Sequence, residues 1–153
     1  MKKIVFVSLV IFIIALNFSC SSDNDGNSLD NNSISTVVTA MNSGTWSVTK
    51  YIDSENDETV DFSGYSFTFT ENNILMAKKN SDEIMGSWLV VTDDSNGGSS
   101  NTDLDFIISF SGPDKFIKLS DDWDIKSSTS TKLELIDISG GNGGTDYLTF
   151  EKN

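Results

Sequence analysis

The chain has 153 residues, with 23 acidic against 10 basic side chains, no histidine, one cysteine and a formal charge of −13. That balance argues against nucleic acid as a partner, because Lys and Arg neutralise a phosphate backbone, and against docking to anionic headgroups by surface charge. Without histidine or a second cysteine, Ser–His and Cys–His nucleophiles and an internal disulfide are excluded, and a zinc, iron or copper centre would have only oxygen ligands.

Lys2 and Lys3 open the chain, and Ile4 to Leu16 follows as IVFVSLVIFIIAL, in which Ser8 alone is polar. As a helix this run would span about 20 Å against a hydrocarbon core of about 30 Å. A basic start, a short apolar middle and a small residue before a cut predict a secretory signal peptide over residues 1–19. An uncut membrane anchor is the alternative. Next comes Cys20, the sole cysteine, behind Leu16-Asn17-Phe18-Ser19. This stretch resembles the lipobox of bacterial lipoproteins; Ser19 matches its small residue, while Asn17 and Phe18 depart from it. The resemblance implies cleavage before Cys20 and a covalent lipid there, palmitate among its acyl chains. Two or more chains give durable membrane anchoring where one does not. Cleavage would remove Lys2 and Lys3, leaving 8 basic against 23 acidic residues and a formal charge of −15.

Residues 20–33 read as a lipidated flexible tether. Ser21 to Ser33 carries one apolar residue, Leu29, too little to offset the entropy of ordering. "DNDG" has an incomplete calcium-loop spacing. Acidic residues soon after a lipidated cysteine resemble the signal that sends some Gram-negative lipoproteins to the outer face of the outer membrane, which implies a lipid-anchored, surface-exposed location.

The domain proper is expected over residues 34–153. Ile34, Val37, Val38 and Met41 recur at helical spacing, with Ser33 as N-cap and Gly44 as stop, predicting one short helix. From Gly44 the period changes to two. Thr45 to Ile52 puts Trp46, Val48 and Ile52 on one face, and Ser47, Thr49 and Tyr51 on the other. Strands follow at Tyr65–Thr70, Ile74–Lys78, Ile84–Thr92 and Asp103–Phe110, then around Trp123 and Ile125, and at Leu133–Ile138 and Tyr147–Lys152. The gaps carry turn chemistry, and the sole proline, Pro113, lies in one. Eight strands joined by short loops predict an all-β, eight-stranded antiparallel up-and-down barrel with one short N-terminal helix; a two-sheet sandwich is the alternative.

Gly44-Thr45-Trp46 after a short helix, Gly86-Ser87-Trp88, Leu119 to Ile125 and the closing Tyr147 to Lys152 are together similar to lipocalin-like lipoproteins of Gram-negative bacteria. The resemblance covers roughly residues 42 to 153. It implies that Trp46 plugs one end of the barrel. Lipocalins commonly bring an arginine from the last strand onto that tryptophan; this chain has no arginine, and Lys152 is the only basic residue in its last strand.

Enzymatic roles are not expected. Asp121, Asp122 and Asp124 offer carboxylates for glycoside hydrolysis, but Asp clusters in so acidic a chain are more often solvated surface. "SGGNGGT" lacks the lysine and the following helix of a phosphate loop. The leading expectation is an outer-membrane lipoprotein that binds a small apolar or amphiphilic ligand, with no cofactor beyond the lipid on Cys20. The expected inward set is Trp46, Phe67, Phe69, Trp88, Phe106, Phe110 and Trp123, whose bulk also fills a small barrel. The alternative is therefore a surface interaction module with a filled barrel, meeting a glycan or protein through exposed residues such as Tyr51, Phe62 or Tyr147.

Overall fold

A computed structural model describes residues 28–92, 104–138 and 144–153, with side-chain surroundings from residue 33 onward. Cys20, the expected leader, residues 21–27 of the expected tether, and residues 93–103 and 139–143 lie outside the described residues.

The first element is helix α1, Ser28–Met41. It begins five residues before the expected cap at Ser33, so the end of the expected tether is helical. Once the Ile34–Met41 turns are formed, each added residue gains a hydrogen bond at small cost, and no Gly or Pro stands between Ser28 and Ser33. The apolar stripe is the expected one: Val37 and Met41 are buried, with Ile34 and Val38 packed against the core. Gly44, at φ 87°, takes the left-handed conformation that ends the helix and turns the chain into the first strand.

Among the described residues there are nine strands: β1 (Trp46–Asp53), β2 (Asn56–Asp57), β3 (Ser66–Phe69), β4 (Ile74–Lys79), β5 (Asp82–Thr92), β6 (Leu104–Phe110), β7 (Asp121–Ser128), β8 (Lys132–Ile138) and β9 (Thr145–Lys152). Eight form the wall in the order β1-β3-β4-β5-β6-β7-β8-β9, and β1 pairs back with β9 to close it; β2 adds two residues to β1. All pairings are antiparallel. The fold is thus an eight-stranded antiparallel up-and-down barrel, and closure leaves no long free edge.

Three departures from the expected pattern matter. The β1–β9 register shifts between Val48 and Lys50. This bulge adds one residue and reverses the alternation beyond it, so Tyr51, not Ile52, joins Trp46 and Val48 inside. The β1–β2 connection continues into a 3-10 turn, Thr59–Phe62, whose Phe62 is buried. Finally, the gap holding Pro113 contains a one-turn helix α2, Asp114–Ile117, with Phe116 buried.

Register fixes the two ends. Trp46, Lys152 and the start of β6 lie toward the end covered by α1. The β1–β2 connection, the 3-10 turn, the β4–β5 hairpin and α2 lie at the other end.

Candidate functional site

The seven residues expected inside the barrel are all buried, none more than 5% exposed. Four of them, Phe67, Phe69, Trp88 and Phe106, join with Phe150 in a continuous line of ring contacts. Phe67 meets Phe150 with centroids 5.4 Å apart, Phe150 meets Phe69 at 5.3 Å, and Phe69 meets both Trp88 at 5.3 Å and Phe106 at 5.7 Å. Most of these contacts are edge-to-face, the favoured geometry for aromatic pairs; Trp88 and Phe106 stack at 29°. Each indole N–H donates to a backbone carbonyl 3.1 Å away: Trp46 to Met41, Trp88 to Thr70 and Trp123 to Leu119. The three tryptophans therefore bury large apolar bodies without stranding a donor.

The end opposite α1 is closed by two rings that sequence reasoning did not place there. Phe62 and Phe116 meet edge-to-face at 5.6 Å. Phe62 reaches Tyr51 at 5.5 Å, and Phe116 reaches Tyr65 at 5.2 Å and Phe110 at 5.1 Å. Polar contacts tie the pieces together. The Tyr51 hydroxyl donates to the Lys118 carbonyl at 2.8 Å, and the Lys118 ammonium lies 2.6 Å from Glu58 and 3.3 Å from Asp53. Lys115 donates to the Asp61 carbonyl at 2.9 Å and sits 4.4 Å over the Tyr65 ring. Burial pushes the Tyr51 phenol well above its ordinary range, and Asp53 and Glu58 add to the shift. The Lys118 ammonium is held protonated chiefly by its hydrogen bond with Glu58. The signal available in the sequence was a single aromatic in each of two gaps, Phe62 after the first expected strand and Phe116 close behind Pro113, since such a ring brings its loop back onto the core.

Two of the residues expected to be exposed stacking partners are therefore corrected. Tyr51 turns inward because of the β1 bulge, and Phe62 because the 3-10 turn folds back over the mouth. Tyr147 is half-buried, with the Lys50 ammonium 4.4 Å from its ring centroid. The three aspartates of β7 do not converge. Asp122 and Asp124 are exposed on the outer face, whereas Asp121 lies on the other side of the strand, half-buried, its carboxyl pushed up by burial.

Outside the barrel, β4, β5 and β6 present apolar side chains to solvent. Met85 is 56% exposed, Leu89 45% and Ile74 36%. Leu89 stands opposite Ile107, Met85 opposite Met76, and Ile74 opposite Ser87. A hollow of about 410 Å³ lies here between Asn73, Ser87, Leu89 and Ile107, with Trp88 in its lining. A second hollow, of about 620 Å³, lies beside the 3-10 turn near Ser47, Asp57, Thr59 and Val60. Its polar groups already serve the fold: Thr59 Oγ1 accepts from the Tyr51 amide, and Asp57 Oδ1 accepts from the Thr59 amide. Hydrogen bonding from Thr59, its side chain first and its amide second, holds the Asp57 carboxyl below its usual range. Among the described residues no group of three or more His, Cys, Asp or Glu is placed to hold a metal ion, and no helix is long and apolar enough to cross a membrane.

No protein-family model matches this chain, and no curated protein matches it. Among solved structures it is similar to the crystal structure of a DUF4847 family protein from Bacteroides vulgatus ATCC 8482, at 17% identity and a TM-score of 0.46, over 74% of this chain and 94% of that one.

Proposed function

We infer that this protein is a lipid-anchored interaction module of the outer membrane, lipidated at Cys20, in which a filled barrel serves as a rigid platform and the outer surface does the binding. The observation carrying this reading is the packing of Phe62 against Phe116 across the end opposite α1. A carrier of a small apolar ligand needs an open mouth leading to an apolar cavity. Here both rings are buried in that mouth, and the line from Phe67 to Phe106 occupies the space behind them. The oily leader, Ser19 and the polar stretch after Cys20 support the anchor. The absence of histidine and the divergence of the β7 aspartates favour binding over catalysis.

The test is mass spectrometry of solvent extracts from the purified full-length protein, which separates a bound lipophile from the covalent lipid. The expected result is no small molecule in stoichiometric amount. A stoichiometric lipophile, displaced when Phe116 is enlarged to Trp, would restore the carrier. In parallel, Cys20→Ala is expected to move the protein out of the detergent-soluble membrane fraction, and unchanged retention would remove the lipid anchor from the proposal.

A further inference from the structure

We propose that the outer face of β4, β5 and β6 is a docking surface for a polypeptide partner that presents apolar side chains flanked by Lys or Arg. The inference rests on the interaction-module reading and names the surface and the partner's chemistry.

The barrel fold needs apolar residues at alternate positions only. On these strands the inward set is complete without help: Leu75, Ala77, Trp88, Val90, Phe106 and Ile108 are all buried. Yet the alternate, outward positions also carry Ile74, Met76, Met85, Leu89 and Ile107. Single exposed apolar residues are ordinary; a run joined by cross-strand pairing marks a contact surface. Leu89 faces Ile107 directly across β5–β6, and Met76 faces Met85 across β4–β5. Ser87 separates Met85 from Leu89 along β5 and faces Ile74. The hollow of about 410 Å³ beside Leu89 is large enough to take an anchoring side chain.

Charge decides what fits. Across β6–β7, Ile107 stands opposite Asp122, and the next outward pair is Asp105 opposite Asp124. Asp122 and Asp124 are both exposed on this face, so the β7 side of the patch is acidic. A complementary surface has an apolar centre and a cationic rim. A second lipidated copy would bring a formal charge of −15 and the same acidic edge against this one. An anionic bilayer would be repelled by it as well.

The experiment uses the full-length protein in phosphatidylcholine nanodiscs, with protein-free nanodiscs as reference, and fluorescent nine-residue peptides of alternating Leu-Lys, Ser-Lys and Leu-Glu sequence. Anisotropy is expected to show binding of the Leu-Lys peptide in excess of the reference, and little binding of the other two. Leu89→Ser is expected to weaken that binding by about tenfold, as loss of a central anchor does. Asp122→Asn should weaken it less and flatten its salt dependence. Val60→Ser, at an exposed apolar residue of the 3-10 turn and not on β4, β5 or β6, should leave it unchanged. Circular dichroism checks that each variant is folded. Met85→Ser provides a second surface variant should Leu89→Ser lose structure. The proposal is overturned if Ser-Lys binds as well as Leu-Lys, or if the patch variants behave like Val60→Ser. It is overturned equally if the protein sediments as a dimer that Leu89→Ser disperses, which makes a second copy the occupant. Recovery of a bound lipophile bears on the filled barrel alone and leaves this titration to be judged by itself.

Discussion

The Nζ of Lys152 lies 5.8 Å from the centroid of the Trp46 ring and donates to the Ser43 hydroxyl at 2.8 Å. The last strand thus places a cation over the tryptophan that opens the first strand, and the same ammonium fastens the turn leaving α1. Trp46 itself is fully buried and donates its indole proton to the Met41 carbonyl. The end of α1 and the last strand, far apart in sequence, thus meet on one ring. Trp46→Ala is therefore expected to cost about 3–5 kcal/mol, a large share of a typical domain stability of about 5–15 kcal/mol. Lys152→Met keeps most of the stem's packing and loses the cation–π contact, for a cost of about 0.5–1 kcal/mol. Urea denaturation of both variants measures the two contributions. A negligible loss for Trp46→Ala would reject its role as the plug of this end.

Phe67 and Phe106 distinguish a filled barrel from a hollow one by energetics alone. In a filled barrel each ring is surrounded by other side chains, and truncation leaves a cavity. Phe67→Ala and Phe106→Ala are then expected to cost about 3–5 kcal/mol each, similar to Trp46→Ala. At a cavity wall one side of the ring already faces space, so the loss would be smaller. Guanidinium denaturation of the three alanine variants is the measurement. Markedly smaller losses at Phe67 and Phe106 would favour the carrier.

The strands were legible because their alternation is local and clean. Ser66-Phe67-Thr68-Phe69 buries one residue in two, and Phe106, Ile108 and Phe110 share the inner face. The β1 bulge was not legible: Tyr51 is amphipathic and suits either face, so nothing nearby shows that an extra residue has shifted the phase. Helix α2 is a single turn of four residues, too short to show a helical period, and the 3-10 turn is equally short. Their function in closing the mouth depends on contacts such as Phe62 with Phe116, 54 positions apart, which no local pattern encodes. The outer patch was visible in principle, as apolar residues at both faces around Leu89 and Ile107.

Closure of the mouth rests on packing of Phe116 and on the polar latch around Lys118. Phe116→Ala removes a fully buried ring that meets Phe62, Tyr65, Phe67 and Phe110. It is expected to cost about 3–5 kcal/mol. Lys118→Met breaks the contacts with Glu58 and Asp53 but leaves the Tyr51 hydroxyl bonded to a backbone carbonyl. Exposed ion pairs contribute little to global stability, so the effect should be local. Hydrogen exchange is expected to speed up over Asp114–Ile117 and Thr59–Phe62 while the denaturation midpoint barely moves. Unchanged exchange in both segments would show that packing alone holds the mouth shut.

Asp121 supplies a pH signature whose sign is set by burial. Its carboxyl is pushed above the usual range, first by desolvation and further by neighbouring Asp137 and Asp122, although the Asp122 amide donating to its Oδ1 at 2.9 Å opposes the shift. As pH rises from the ordinary carboxylate range, the unfolded chain loses this proton before the folded one does. Between the two pKa values the folded state holds more protons, so Asp121 makes stability fall with rising pH. Its contribution is most favourable below the unfolded pKa, and the cost is complete once pH exceeds the folded pKa. Asp121→Asn keeps an oxygen to accept from the Asp122 amide and removes the charge. The variant is expected to be more stable than the parent at pH 7, with the advantage shrinking as pH falls toward 4. Thermal denaturation of both proteins from pH 4 to pH 8 tests this directly. An Asn variant less stable than the parent at pH 7 would mean that the charged carboxylate is favourably placed, and that burial does not control its titration.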